Sequence, residues 1–560
     1  MTYDFLDAFK DELLDEEWFS LELLDAYAPS SSQTIHDHLQ FQADFDFDLL
    51  PDTPQETGRE YTVDAYFFLP HSMGINRENF GRDQFYTSLT NYLRIRTPDF
   101  AENSGETLIP SADAYFKQHL FAHLRQTLEP LVIQEVKLFG CNLNTQLKKL
   151  RTLFFSLYHP EKGLSPAQMR RLESMLIHIL QYLSDYRSQY LGKVRHQSYL
   201  VDAEVRRAFV LVDEYLSYRL EATLIRILQY LENHPCHLAE LLENTLLSEM
   251  EYRVAESLIM ISDNADKSMR ERYYYRLGLL KKYVSEVLFL RVENLRKDKI
   301  YRNLIAASGA ALAALWAGLI DLQRFYLMAQ SPNSQDISDF TLRFFLIVVV
   351  GVVAYIFKDR IKELSREFFY AQLKHKLPDY EFEMMLDHYH REHQRLEHVK
   401  VGKARQMMRF LSRDVLPPEV QYIRDMGHRT VLDPERHEHI LHFSQTLNVD
   451  TYTMARQTEQ IQRLHNILRF NVSAFLEKLD NPDKTLRYYD INNGLALIKA
   501  PKVYHVNVVF RYSSKREDPS ADRNPRHYEF ERIRLILDKS GIQRIEPILE
   551  RGELGYIWQG

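Results

Sequence analysis

Histidine and carboxylate clusters supply the clearest candidate chemistry in this chain. His388, His390 and His393 crowd together with Asp387 and Glu392, and His437, His439 and His442 form a second group around Glu438. Imidazole and carboxylate donors suit zinc or iron, so either group is a candidate metal site able to activate water for hydrolysis. On a helix, His390 shares a face with His393 and with Asp387. The competing reading is a polar surface helix, because the run Asp387-His388-Tyr389-His390-Arg391-Glu392-His393 also has that composition. His36-Asp37-His38 carries the same ligand types inside an acidic segment. Asp46, Asp48 and Asp64 are carboxylates of the kind acid–base catalysis uses, yet no spacing pairs them with a nucleophile or a second acid.

Other signatures are missing. The chain has no GxxxxGK[ST] loop, no GxGxxG after a strand, no GxSxG, no HExxH and no CxxC. Arg511, Lys515, Arg516, Arg523 and Arg526 lie near Tyr512, but Glu517, Asp518 and Asp522 dilute their field. Such a patch fits anionic lipid head groups as well as phosphates of single strands and does not favour nucleic acid as a partner. The two cysteines, Cys141 and Cys236, cannot build a disulfide framework or a cysteine metal site and fit a reducing compartment. No cofactor is expected, and the absence of a catalytic signature leans away from an enzyme.

The elements that would position these residues are dominated by two apolar stretches. Leu304–Ile320 runs 17 residues without a charge, and Phe344–Phe357 runs 14 more. Pro332, Asn333 and Ser334 lie between them. At about 1.5 Å per residue, roughly 20 apolar residues cross a bilayer. The sequence therefore predicts a transmembrane hairpin over 303–357, with spans at 303–323 and 338–357. Basic residues precede it (Arg291, Arg296, Lys297, Lys299, Arg302) and follow it (Lys358, Arg360, Lys362, Arg366), whereas the connection holds Arg324 with Arg343 at its edge. The positive-inside bias places both chain ends in the cytoplasm of a multi-pass protein in the cell membrane. Gly309, Ala313 and Ala317 form one small-residue row for helix packing within the membrane, with Gly351 offered by the second span. Ala306, Ala310, Ala314 and Gly318 form another row, suited to self-association.

The remaining chain divides by composition. Residues 1–58 form an acidic, partly disordered segment. Residues 1–60 hold 16 Asp and Glu against Lys10 and Arg59, a net −14 that leaves +6 for the rest of a chain whose total is −8. Asp11-Glu12-Leu13-Leu14-Asp15-Glu16-Glu17-Trp18-Phe19 mixes acids with large apolar residues, as a short docking segment for a partner or for the protein's own basic surface does. Residues 59–141 read as a small α+β module, with strands at Tyr61–Leu69 and Leu131–Phe139 and helices at Arg82–Ile95 and Ala112–Leu128. Its strands can pair with each other or with those at the far end. Residues 142–302 read as a helical domain. Within it 171–183 (RLESMLIHILQYL) and 219–231 (RLEATLIRILQYL) match at ten of thirteen positions, an offset of 48 that suggests repeated helical units. Leu277, Leu280, Val284 and Val287 follow the 3-4-3 spacing of a coiled coil or of ordinary bundle packing.

Beyond the second apolar stretch, 358–480 reads as a cytoplasmic helical bundle or stalk, with helices at Tyr380–Leu411, Pro434–Thr446 and Thr451–Leu479. Residues 485–560 read as an antiparallel β module, because Val506, Val508, Phe510 and Tyr512 alternate with polar neighbours. The predicted fold is thus mainly α with smaller α+β and β modules, a two-span transmembrane helical hairpin lying between cytoplasmic helical domains. The expected role is an oligomeric membrane anchor, scaffold or sensor that recruits a cytoplasmic protein partner. A membrane-tethered metal-dependent hydrolase and an oligomeric pore are the alternatives.

Overall fold

The segment Gly58–Pro70 is rich in β-branched and aromatic residues and buried on both faces, and the architecture is built around it. In the computed structural model this segment is β3, preceded by β1 (Ser31–Asp37) and β2 (Gln40–Asp48). The structure describes residues 31–49, 56–97, 108–117, 122–159, 163–196, 201–231, 236–262, 264–294, 298–329, 337–374, 377–390, 395–426, 437–457, 463–481, 483–491, 494–517, 526–549 and 551. After β3 come α1 (Arg82–Ser88) and β4 (Leu89–Ile95), then the helices α2 (Pro110–Lys117), α3 (Ala122–Leu157) and α4 (Pro166–Asp185). A π-helical turn, Tyr186–Leu191, leads into α5 (Gly192–His196), α6 (Ala203–Leu231), α7 (His237–Ala255) and α8 (Lys267–Ser285). The short β5 (Arg291–Asn294) precedes two long helices, α9 (Asp298–Ala329) and α10 (Ile337–Lys374). Next are β6 (Tyr380–His390), β7 (Arg395–Leu411), α11 (Pro418–Asp425), β8 (Glu438–Val449), α12 (Thr451–Gln457), β9 (Arg463–Asn471) and α13 (Ser473–Leu476). The last strands are β10 (Asp483–Asp490), β11 (Gly494–Pro501), β12 (Tyr504–Glu517), β13 (Arg526–Asp538) and β14 (Gly541–Leu549). Two units result: one from residues 1–291, 384–402 and 408–560, the other from 292–383 and 403–407.

The first unit holds a β-sandwich and a helical bundle. Its large sheet runs β14-β13-β12-β3-β8-β7-β6, with β5 at the edge where the chain passes into the second unit. A second sheet runs β1-β2-β9-β4. Facing side chains interlock between the sheets, as period-two patterning requires. Phe45 of β2 lies 5.8 Å from Phe510 and 5.4 Å from Tyr512 of β12, and Phe67 of β3 lies 5.6 Å from Phe470 of β9. Gly541 sits at φ +147° beneath the β1–β2 turn, where a Cβ would collide with the His38 carbonyl and where Ile542 N–H donates to that carbonyl at 2.7 Å. The opposite face of the large sheet is covered by α11, whose Val420 and Ile423 pack on Tyr66, Phe68, Ile440 and Val509. Buried Arg532 donates to the carbonyls of Ile423 and Met426 at 2.9 and 2.8 Å, capping the C-terminal end of α11.

In the bundle, α3 packs on α4, α6 and α8, and α6 also packs on α7 and α8. The repeated stretches bury the same apolar positions. Leu172, Leu176, Ile179 and Leu183 face inward in α4, and Leu220, Leu224, Ile227 and Leu231 do so in α6. Ile177 and its counterpart Ile225 point to solvent, 54% and 41% exposed. The predicted strand Leu131–Phe139 is part of α3, because Val132, Val136, Phe139, Leu143, Leu147, Leu150 and Phe154 are all buried at helical spacing. Arg82–Ile95 is not one helix, since Leu89–Ile95 pairs with β9 as an edge strand.

The predicted fold class is overturned. Helix accounts for about 53% and strand for about 33%, with large sheets, and among the described residues only one helix is long and apolar enough to cross a membrane. That helix is Asn303–Gln323, within α9. The second expected span, 338–357, does not supply another such helix among the described residues, and the side chains of 337–344 lie outside them. The expected helical bundle at 358–480 is also absent after Lys374, where β6, β7, β8 and β9 take its place. Buried Leu441, Phe443, Gln445, Leu447 and Val449 alternate in β8 with half-buried His442, Ser444, Thr446 and Asn448. The polar Gln445 interrupts the apolar row and disguises the strand. Residues 485–560 are not a separate module, because Asn507–Glu517 of β12 pairs with β3. The acidic segment contributes β1 and β2 from its described part, and residues 1–30 lie outside the described residues.

The two repeat faces carry a direct expectation. Leu224→Ala opens a cavity in the bundle and costs about 2–5 kcal/mol in denaturant unfolding, whereas Ile225→Ala changes stability by no more than about 0.5 kcal/mol.

Candidate functional site

Strand pairing brings three residues distant in sequence onto one sheet face. Asp64 lies opposite Arg511 of β12 on one side and Ser444 of β8 on the other. Side chains of directly paired residues project from the same face. His442, which pairs with Tyr66, reaches along that face so that its Nε2 lies 2.9 Å from Asp64 Oδ1. Arg511 donates to Asp64 Oδ2 through Nε at 3.1 Å and Nη2 at 2.7 Å. Tyr66 stacks on the His442 ring with centroids 4.5 Å apart and planes 15° apart.

Asp64 is 3% exposed, and burial alone would raise its pKa. The hydrogen bond and charge of His442, with the charge of Arg511, outweigh burial and hold the carboxyl down at about 2. Burial likewise opposes the charge on Arg511, but Asp64 and Tyr66 reverse the effect and raise its pKa. The carboxylate orients the imidazole through Nε2 and leaves Nδ1 as the ring's other nitrogen, an arrangement suited to proton exchange or to holding an anion beside the guanidinium.

The histidine groups do not converge. His437 and His439 share one face of the β8 segment, and His442 lies on the other. His439 Nε2 lies 3.0 Å from Nδ1 of His71, and burial and the neighbouring His71 lower its pKa. His388 and His390 fall on strand β6, so the helical face that would pair His390 with His393 does not exist; His393 lies outside the described residues. Among the described residues, no group of three or more His, Cys, Asp or Glu side chains could hold a metal ion. Asp46 accepts from His465 Nδ1 at 2.6 Å, and Asp48 accepts from Arg463 at 2.9 Å, so both carboxylates are paired across β2 and β9.

In the second unit, α9 and α10 pack on each other. A Cβ on Gly309 would lie 3.2 Å from the Lys362 carbonyl oxygen and from Ser365 Oγ of α10. Ala313 is buried, and Ala317 and Gly351 are half-buried. Ala310, Ala314 and Gly318 are exposed.

A cleft of about 520 Å³ beside the π-helical turn has no counterpart in the sequence motifs. Its wall includes Leu183, Arg187, Thr245, Glu249 and Tyr252. Arg187 donates to Glu249 at 2.7 and 2.9 Å and to Asp213 at 2.7 Å, and its guanidinium lies 3.7 Å from the centre of the Tyr252 ring. Burial raises the pKa of Asp213, with Arg187 and Tyr252 acting against it. These partners engage all three nitrogens of the guanidinium, so the cluster braces α6 and α7 against the turn. Separations of 26 and 62 residues left no signal of it in the sequence.

The chain matches no family model, no curated protein and no solved structure.

The Asp64 pair sets a pH dependence. A carboxyl held below its unfolded value of 3.8 stabilises the fold fully above that value and stops doing so as pH falls toward about 2. The wild type therefore exceeds Asp64→Asn in stability by about 2 kcal/mol at pH 7, and the gap closes on acidification through that window. Urea unfolding at a series of pH values measures it; a gap independent of pH contradicts the ion-pair account.

Proposed function

We propose that this protein is a membrane-associated scaffold or sensor, non-enzymatic, that holds a partner-binding unit at a lipid surface through α9. The observation that supports this most strongly is the exposure of α9. Only 17% of its most apolar window is buried. Leu312, Leu315, Leu319, Leu322 and Phe325 are between 41% and 72% exposed. Burying one such side chain is worth about 1.5–3 kcal/mol, so five left in water forfeit an amount comparable with the whole stability of a domain. The exposed positions surround α9 on every side except the one against α10, which suits hydrocarbon better than a single protein groove.

Charge supports the same reading. Gly309, near the start of the apolar part of α9, packs against Lys362–Arg366 of α10. Lys362 and Arg366 are exposed there, as is Arg360, and side chains of this type favour anionic head groups. Ala310, Ala314 and Gly318 offer a second α9 a surface for close backbone approach, which favours a homo-oligomer. The first unit, with its sandwich and bundle, supplies the surface for a cytoplasmic protein partner.

Sedimentation with membranes after alkaline carbonate washing tests the proposal. The wild type is expected in the pellet, and Leu315→Glu/Leu319→Glu in the supernatant with its circular dichroism unchanged. A wild-type protein that is monodisperse in detergent-free buffer overturns the assignment.

A further inference from the structure

The inner side of α8 is well occupied. Leu280 and Val284 are buried, Tyr273 lies 5.4 Å from Tyr218, and Arg276 makes a bidentate pair with Glu214 at 2.6 and 2.9 Å. The outer side has a different composition. Arg272, Tyr275, Leu279 and Lys282 recur at three- and four-residue spacing and form one stripe. All four are exposed, Tyr275 at 68% and Leu279 at 41%. Gly278 beside them opens onto empty space, so nothing bulky separates the aromatic ring from the leucine. The stripe is an apolar centre with a guanidinium at one end and an ammonium at the other.

We propose that the chain's own segment Asp11–Phe19 docks on this stripe. The chemistry is complementary. Residues 1–30 contain nine Asp and Glu against Lys10 alone. In the segment Asp11, Glu12, Asp15, Glu16 and Glu17 flank Leu13 and Leu14, and Trp18-Phe19 follows. Acids meet Arg272 and Lys282, and the leucines and aromatics cover Tyr275 and Leu279.

The path of the chain favours this occupant. The described residues begin at Ser31, in β1, and His36 of the same strand feels the positive charge of Lys281 on α8, one of the causes that lower its pKa after burial. His36 of β1 thus lies within electrostatic range of α8. The 11 residues between Phe19 and Ser31 reach at most about 40 Å and hold the segment at millimolar effective concentration, so individually weak contacts suffice. The docked segment covers the stripe until a stronger acidic–aromatic ligand displaces it.

Amide hydrogen exchange over Lys267–Ser285 in the detergent-solubilised full chain tests the contact. The variant Asp11→Lys/Glu12→Lys/Glu16→Lys/Glu17→Lys is expected to exchange several-fold faster than wild type at low salt, and raising the salt to about 0.5 M shrinks the difference as screening predicts. Adding Arg272→Glu/Lys282→Glu to that variant restores wild-type protection by exchanging the charges. Equal exchange in wild type and the four-lysine variant overturns the proposal, as does failure of the exchanged charges to restore protection. Protection that disappears on dilution overturns the intramolecular contact and assigns the stripe to a second copy.

Discussion

β3 is hydrogen-bonded on both edges, to β8 on one side and to β12 on the other, over most of its length. A strand with no free edge and with both faces covered has its register fixed from four directions, because a one-residue slip would turn every inward side chain outward. One face carries Val63, Ala65 and Phe67 into the sandwich, and the other carries Asp64, Tyr66 and Phe68 toward His442, Arg511 and α11. The candidate site and the apolar core are therefore set by the same register. The ion pair around Asp64 forms only if the ladder is right, and the aromatic packing holds the ladder there.

Part of this was legible in the sequence. β3 has a β-rich composition, β12 alternates from Val506 to Tyr512, and the duplicated RLE…ILQYL stretches occupy matching inward faces in α4 and α6. What misled was local. Buried Gln445 breaks the apolar row of β8, and it is tolerated because Asn466 donates to its side-chain oxygen from β9 at 2.9 Å. The β-branched residues near Leu131 fit a strand locally, whereas the spacing from Val132 to Phe154 is that of a helix. Asp64, His442 and Arg511 were each visible as reactive types, but their meeting depends on strand pairing across hundreds of residues, which no local pattern encodes.

The apolar stretches were read correctly as unusual and incorrectly as equivalent. Among the described residues only α9 is long and apolar enough to cross a membrane, and α10 runs beyond Phe357 into Lys358, Asp359, Arg360, Lys362 and Glu363. The charged part of α10 lies against Gly309, so the small-residue row of α9 serves close packing with a polar helix at one end. The exposed apolar side chains of α9 and the folded unit formed by the flanking segments are the two facts that any account of the protein's role must reconcile. A lipid-associated scaffold accommodates both.

The ladder of β3 has a consequence for biosynthesis. Its N-terminal strand leaves the ribosome about 430 residues before β12 begins, a delay on the order of 20–90 s at typical elongation rates. Until β8 emerges an aromatic-rich strand, Tyr61 to Leu69, has both edges unsatisfied, and one edge stays open until β12 follows, the state in which nascent chains aggregate. The helical segments between them can fold while they wait, but the sandwich closes only after β12 has emerged. Premature termination anywhere before β12 would thus leave a product that exposes its most adhesive strand, a substrate for chaperones and proteases.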